Sequence, residues 1–439
     1  MGKKYIAILL AFAMLLGMTA CGAGNQAAEE PTAASTTAQA TVEAASEPAE
    51  PAIYTFTFDG MMGKETAHFE LSPDGSCKFS LPGNPMLTDV YAGTFTREGD
   101  TVTVEGLTNV DTTSSFTTPG LWDWIVDGGT VITVDDAAGT FVPVGGSGGS
   151  AAGAPGGEND LPEGITNVAY ASASAAQVCD IYTPEGVEQA PVIVLVHGGG
   201  FAFGDQAMTI IQPVIKAAVA NGYAVVSVDY RKSSEAAFPG ALADVKAAVR
   251  FVKANAVEYG FDAEHIAIWG ESAGAYLSVM TALTPEVAEL NGDVADNGDV
   301  SSAVTALVSF YAPVEFWTMD DEYAALGNPD STFATDSSFE SKFLGQAIGA
   351  DKDKTYTTYW QTYADQLPSD LKAWIQVGNA DKSVPYTQSQ NLAERLSGYL
   401  GAENVQFGIL DGAGHEDAAF YTDENLSAIF AWLDGFMKG

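Results

Sequence analysis

With 57 acidic against 18 basic side chains, the 439-residue chain carries a net charge of -39. Such a surface repels phosphate backbones and polyanions, which argues against nucleic-acid binding and against substrates such as deesterified pectin. An apolar content of 46% is ample for the buried cores of about two or three domains.

The chain starts with a targeting segment, residues 1–21. Lys3 and Lys4 precede an apolar run from Ile6 to Leu16, too short for the ~20 residues of a membrane span. It ends in Met18-Thr19-Ala20-Cys21-Gly22. This resembles a bacterial lipoprotein signal, with Met18 where leucine is usual. The resemblance implies lipid attachment at Cys21, an extracytoplasmic location and membrane contact only through the anchor; an ordinary secretory signal cleaved near Cys21 is the alternative. Residues 22–51 are rich in Ala, Thr, Glu, Ser, Gln and Pro and hold no aromatic residue, the composition of a disordered tether.

Residues 52–144 change character. Tyr54, Phe56 and Phe58 alternate with polar residues, as do Phe79 and Leu81, then Val102 and Val104. Turn signals at Ser72-Pro73-Asp74-Gly75, Arg97-Glu98-Gly99-Asp100 and Gly128-Gly129 separate these runs. A small antiparallel β domain is expected, a barrel or a sandwich acting as a spacer. Trp122 and Trp124 could form a sugar-stacking platform, or be one buried and one edge residue. Cys77 here and Cys179 further on read as two separate buried thiols; with Cys21 they make three cysteines, without metal-ligand spacing and too few for a disulfide framework. Residues 145–158 are a Gly/Ser linker.

From 159 to 439 strands and helices alternate. Strands are expected at Val178–Tyr182, Pro191–Val196, Tyr223–Val228, His265–Trp269, Ala303–Phe310, Leu371–Val377 and Val405–Leu410. Helices are expected at Ile210–Ala220, Ala241–Tyr259, Ala275–Leu283, Thr387–Leu400 and Glu424–Met437. Unbroken apolar runs such as Pro191–Val196 suit strands buried on both faces, so this is an α/β domain, doubly wound around a mostly parallel sheet. Its chemistry belongs at the carboxyl ends of the strands.

Gly270-Glu271-Ser272-Ala273-Gly274 lies between a predicted strand and a predicted helix. A G-x-S-x-G sequence in that context holds the serine on a sharp, strained turn whose flanking positions admit only glycine. A serine nucleophile needs a base. Of the four histidines, His68 lies in the β domain, His265 at the wrong end of its strand and His197 beside a glycine run. His415, just after the last strand, is left as the base. The acid should follow a strand between Ser272 and His415. Asp381 does so; Glu315, Asp320 and Asp321 are the runners-up, and Asp411 is assigned to capping the strand end. Gly198-Gly199-Gly200 follows a buried strand. The backbone N–H groups of Gly199, Gly200 and Ala273 form the natural oxyanion hole.

His197-Gly198-Gly199-Gly200-Phe201, Asp229-Tyr230-Arg231, the Ser272 pentapeptide, Asp381 with Val384-Pro385, and Gly414-His415 together resemble the α/β-hydrolase esterases. They are similar to the hormone-sensitive-lipase-like carboxylesterases and closer to the acetyl-xylan and feruloyl esterase-like branch. That resemblance spans nearly all of residues 165–439. It implies hydrolysis of small esters or esterified carbohydrates without a cofactor or metal and without an obligate protein partner, with Asp229 and Arg231 supporting the oxyanion loop. Val377 where a histidine is usual, Ala275 where a glycine is common and the lack of a large helical cap before His197 depart from the pattern. Thr284–Phe343, with Phe310, Tyr311, Phe316, Trp317 and Tyr323, is expected to wall the pocket. A prolyl-oligopeptidase-type peptidase and a surface binding protein on an inactive hydrolase scaffold are the alternatives; the first would bring a propeller and an aromatic residue in place of Ala273.

Overall fold

The computed structural model describes residues 51–60, 63–81, 90–111, 131–143, 161–328 and 333–438. The targeting segment with Cys21, nearly all of the tether, Trp122, Trp124 and the 145–158 linker lie outside the described residues.

The first domain is a closed barrel of β1 (Ala52–Gly60), β2 (Gly63–Leu71), β3 (Ser76–Ser80), β4 (Val90–Glu98), β5 (Thr101–Asp111), β6 (Val131–Asp135) and β7 (Thr140–Pro143). Neighbouring strands pair antiparallel, and a single parallel pair, Thr55 with Thr140, closes the ring. The period-two pattern explains the interior. Tyr54, Phe69, Phe79, Val102, Val104, Ile132, Val134 and Phe141 all point inward and form one core. Closure leaves the sheet no free edge. Arg97, Asp136 and the Tyr54 hydroxyl tie β4 to the β6–β7 turn and to β1.

The second domain contains an eight-stranded sheet of β8 (Gly164–Ala169), β9 (Val178–Tyr182), β10 (Ala190–Val196), β11 (Ala224–Val228), β12 (Phe261–Glu271), β13 (Ala306–Phe310), β14 (Lys372–Gly378) and β15 (Val405–Leu410). The order is β15-β14-β13-β12-β10-β11-β9-β8. β10 to β15 run parallel; β9 and β8 are added antiparallel at one edge. β8 was not foreseen, because its residues are mostly exposed and carry no apolar alternation.

Among the described residues the α-helices are α1 (Gln212–Ala220), α2 (Gly240–Ala254), α3 (Ala256–Tyr259), α4 (Ala273–Leu283), α5 (Met319–Ala325), α6 (Phe339–Leu344), α7 (Lys352–Tyr356), α8 (Tyr386–Leu400) and α9 (Asp423–Met437). The expected 241–259 helix is two pieces, because Asn255 leaves helical geometry between α2 and α3.

Alternate residues of β10 feed opposite cores. Val192, Val194 and Val196 pack with α2, α4 and α8; Ile193 and Leu195 pack with α1 and α9. That is why the strand reads as unbroken apolar sequence. α4 is buried on all sides, so its first residue is held by packing as well as by the turn. Among the described residues no helix is long and apolar enough to cross a membrane.

Candidate active site

The topology brings two loops together. β10 lies between β11 and β12, so the chain reverses its winding direction there. Crevices at such switch points open at the carboxyl ends of the strands. Val196, the last residue of β10, pairs with Gly270 near the end of β12. The glycine run and Ser272 therefore emerge side by side.

Ser272 sits at φ 50, ψ -121, a strained conformation for a residue with a side chain. The turn is so tight that a Cβ on Gly270 would lie 2.2 Å from the Gly274 carbonyl oxygen. A Cβ on Gly274 would lie 2.2 Å from the carbonyl oxygen of Val196. Backbone cannot yield to such contacts, so both positions require glycine. The Ser272 N–H donates to the Phe310 carbonyl at 3.0 Å, tying the turn to β13.

His415 and Asp381 arrive from the ends of β15 and β14. Their loops are stitched together, with the Ala380 N–H donating to the Ala413 carbonyl at 2.9 Å. His415 Nε2 lies 3.0 Å from Ser272 Oγ, and His415 Nδ1 lies 2.7 Å from Asp381 Oδ2. A carboxylate only accepts, so Nδ1 carries the proton and the Nε2 lone pair faces the serine hydroxyl. The other Asp381 oxygen accepts from the N–H groups of Ser383 and Val384, each at 2.8 Å. This fixes the carboxylate and spends its second face away from the imidazole.

None of the other acids bonds His415. Glu315 pairs with Arg395, Asp320 accepts from the N–H groups of Phe333 and Ala334, and Asp321 is exposed. Asp411 bonds the Asn379 side chain at 2.8 Å and so braces the Asp381 loop.

Burial disfavours the charged imidazolium of His415, but Asp381, through its charge and hydrogen bond, outweighs it and holds the pKa above its ordinary 6.5. Glu271 is 1% exposed, with the hydroxyls of Tyr311 and Tyr421 as its polar neighbours. Burial pushes its carboxyl up to about 8, so it is a neutral acid at pH 7. Burial raises Glu416 in the same direction. Tyr311 lies with its ring 4.6 Å from that of His415 and its hydroxyl 2.6 Å from that of Tyr421.

The glycine run is left-handed at Gly199 (φ 101) and Gly200 (φ 58). The N–H groups of Gly199, Gly200 and Ala273 donate to no described acceptor, which leaves them available to an incoming oxyanion. Behind them His197 is fully buried and stacked on Tyr230, ring centroids 4.4 Å apart. His197 Nδ1 donates to the Gly198 carbonyl at 2.7 Å. Burial, with Lys232 adding to it, lowers the His197 pKa despite Asp229, so Nε2 accepts from the Lys232 ammonium at 3.3 Å. Lys232 also donates to Asp229 and to the Tyr230 carbonyl, and the Tyr230 hydroxyl donates to the carbonyls of His197 and Gly198. Asp229, Tyr230 and Lys232 therefore carry the loop. Arg231 instead bonds Asp244 and Asp293, each at 2.8 Å, and anchors α2.

Of the remaining cysteines and histidines, Cys77 and Cys179 are buried free thiols. His265 bonds Asp262 at the amino end of β12, away from the site. Among the described residues no cluster could hold a metal ion. Glu271 stood in plain view inside the pentapeptide, and Lys232 beside the Asp229-Tyr230-Arg231 motif; their burial and partners depend on distant strands and carry no local signal.

Residues 179–396 match the family described as BD-FAE. The chain is 27% identical to a solved structure described as a truncated form of carbohydrate esterase from gut microbiota, covering 64% of this chain and 99% of that one with a TM-score of 0.55. The domain has the α/β-hydrolase fold and is similar to carboxylesterases. The hydrolase domain is also similar to esterase LipC of Mycobacterium tuberculosis, 26% identical over 55% of this chain and 57% of the relative. Carboxylesterase NlhH of the same organism is 40% identical over 23% of this chain and 32% of its own length. The chain thus spans 57% and 32% of the length of these two curated relatives, less than two thirds of either.

Proposed function

We propose that the chain is a serine carboxylesterase acting through Ser272, His415 and Asp381 on short-chain acyl or hydroxycinnamoyl esters of plant polysaccharides. The observation that carries this reading is the continuous relay of hydrogen bonds, 2.7 Å from Asp381 to His415 and 3.0 Å from His415 to Ser272. His415 takes the Ser272 proton as the oxygen attacks the ester carbonyl. Charge that develops on the carbonyl oxygen meets the N–H groups of Gly199, Gly200 and Ala273. Protonated His415 then hands its proton to the leaving alcohol, and an acyl-Ser272 ester remains. Water, deprotonated by His415, attacks that ester and releases the acid. Throughout, Asp381 holds the imidazole in the Nδ1–H tautomer and stabilises its cation.

The carbohydrate part of the reading draws on the similarity to the gut-microbiota carbohydrate esterase. A closed barrel precedes the hydrolase domain where a peptidase of the prolyl-oligopeptidase type would bring a propeller, and Ala273 follows the serine. The targeting segment and Cys21 support an extracytoplasmic enzyme held to the membrane by lipid.

Hydrolysis of p-nitrophenyl acetate tests the roles. Ser272→Ala is expected to abolish turnover. Asp381→Asn is expected to cut kcat about 10³- to 10⁴-fold with the fold intact. Retained turnover in the first variant, or a near-normal rate in the second, would overturn the assignment.

A further inference from the structure

The long connection between β13 and β14 builds a pocket that includes none of the triad residues in its lining. It has a volume of about 240 Å³ and is lined by Trp317, Gly349, Lys352, Thr355 and Tyr356. This is smaller than the ~300–1,000 Å³ of a drug-sized site and suits a single ring. Trp317 and Tyr356 meet edge to face, centroids 4.9 Å apart and planes at 82°. Tyr359 backs Trp317 in the same way at 5.0 Å. The half-buried indole is thereby fixed, and the exposed Tyr356 forms an outer wall. The opening is kept clear at Gly349, where a Cβ would meet nothing within 4 Å.

Two rings at a right angle make an apolar corner, the kind of surface against which the C–H face of a pyranose packs. Polar groups surround it. The Trp317 N–H, the Tyr356 hydroxyl and the Lys352 ammonium bond no described residue, whereas the Thr355 hydroxyl is already engaged by the Asp351 carbonyl and the Gly349 N–H. Lys352 is a cation without a described partner in a chain whose acids outnumber its bases 57 to 18. The overall charge repels a polyanion, but one carboxylate at this lysine would be matched.

Trp317 and Ser272 both lie beyond the carboxyl ends of neighbouring parallel strands, β13 and β12. Trp317 follows β13, and its neighbour Phe316 packs on Tyr276 of α4 at 4.8 Å and on Phe201 of the glycine loop at 6.1 Å. α4 begins directly after Ser272.

We propose that this pocket is an accessory subsite for an acidic sugar, one pyranose ring bearing a carboxylate, on the carbohydrate chain whose ester Ser272 cleaves. The ring lies on the Trp317–Tyr356 corner and its carboxylate meets Lys352. This assignment rests on the carbohydrate-ester reading of the triad.

The test is kinetics of the full chain on acetylated xylo-oligosaccharides with and without a uronic-acid branch, beside p-nitrophenyl acetate. Tyr356→Ala and Lys352→Ala should each raise KM for the branched substrate about 3- to 10-fold with kcat unchanged, and leave the small ester unaffected. An unchanged KM in either variant, or an equal rise for the unbranched substrate in Lys352→Ala, overturns the subsite. Calorimetry with an unesterified uronic-acid-branched oligosaccharide separates the two readings. If no variant or parent hydrolyses an ester but the sugar binds and Lys352→Ala weakens it, the esterase reading fails and the subsite stands. If esters are cleaved and the sugar does not bind, the subsite fails alone.

Discussion

Glu271 shows how burial sets the charge beside Ser272. It stands next to Ser272, almost wholly buried, with only the hydroxyls of Tyr311 and Tyr421 as polar neighbours. Two ionised carboxylates beside His415 would hold a proton on the imidazole; burial instead keeps Glu271 neutral to about pH 8. The same shift has a consequence for stability. In the unfolded chain the carboxyl loses its proton near 4.5, whereas the folded protein keeps it until about 8. Between those values the unfolded state binds fewer protons, so stability falls as pH rises. Glu271→Gln removes that slope. The Tm of the variant minus that of the parent should therefore grow from pH 5 to pH 8; a difference that stays constant contradicts a protonated Glu271.

At the scale of elements, the site is built from strand ends joined by short loops, with α4 as its support. Gly274→Ala places a methyl group 2.2 Å from the Val196 carbonyl oxygen. It can be accommodated only by moving α4 or β10, so Tm should drop by about 5–10 °C with loss of esterase activity. A variant with unaltered Tm and activity would show that the turn has room. These elements were legible in the sequence where pattern and punctuation coincide. Unbroken apolar runs marked β10 and β12, and glycines marked the turns after them. The order serine, aspartate, histidine at strand ends pointed to Ser272, Asp381 and His415. The connection from β13 to β14 was not legible. Its helices α5, α6 and α7 are each at most seven residues long, too short to show helical periodicity. Of the aromatic residues expected to wall the pocket, Phe310, Tyr311, Phe316 and Tyr323 are buried in the core, and Trp317 alone is partly open. The roles of Lys232 and Glu416 were hidden for another reason: charge and burial there come from residues far apart in sequence.

As a whole molecule, the described residues form separate cores in a seven-stranded barrel and in a domain of α/β-hydrolase fold. The anchoring proposal predicts that the chain expressed in a bacterial host incorporates labelled palmitate and that Cys21→Ser does not; label retained in the variant would place any lipid elsewhere. The central claim is that Ser272 is the nucleophile. Its most direct test is to treat the full chain with a reactive p-nitrophenyl phosphonate and locate the adduct by peptide mass spectrometry. The arrangement of His415, Asp381 and the three free N–H groups predicts stoichiometric phosphonylation of Ser272 with parallel loss of esterase activity. Inactivation with the adduct on any other residue, or full activity with Ser272 phosphonylated, would contradict it.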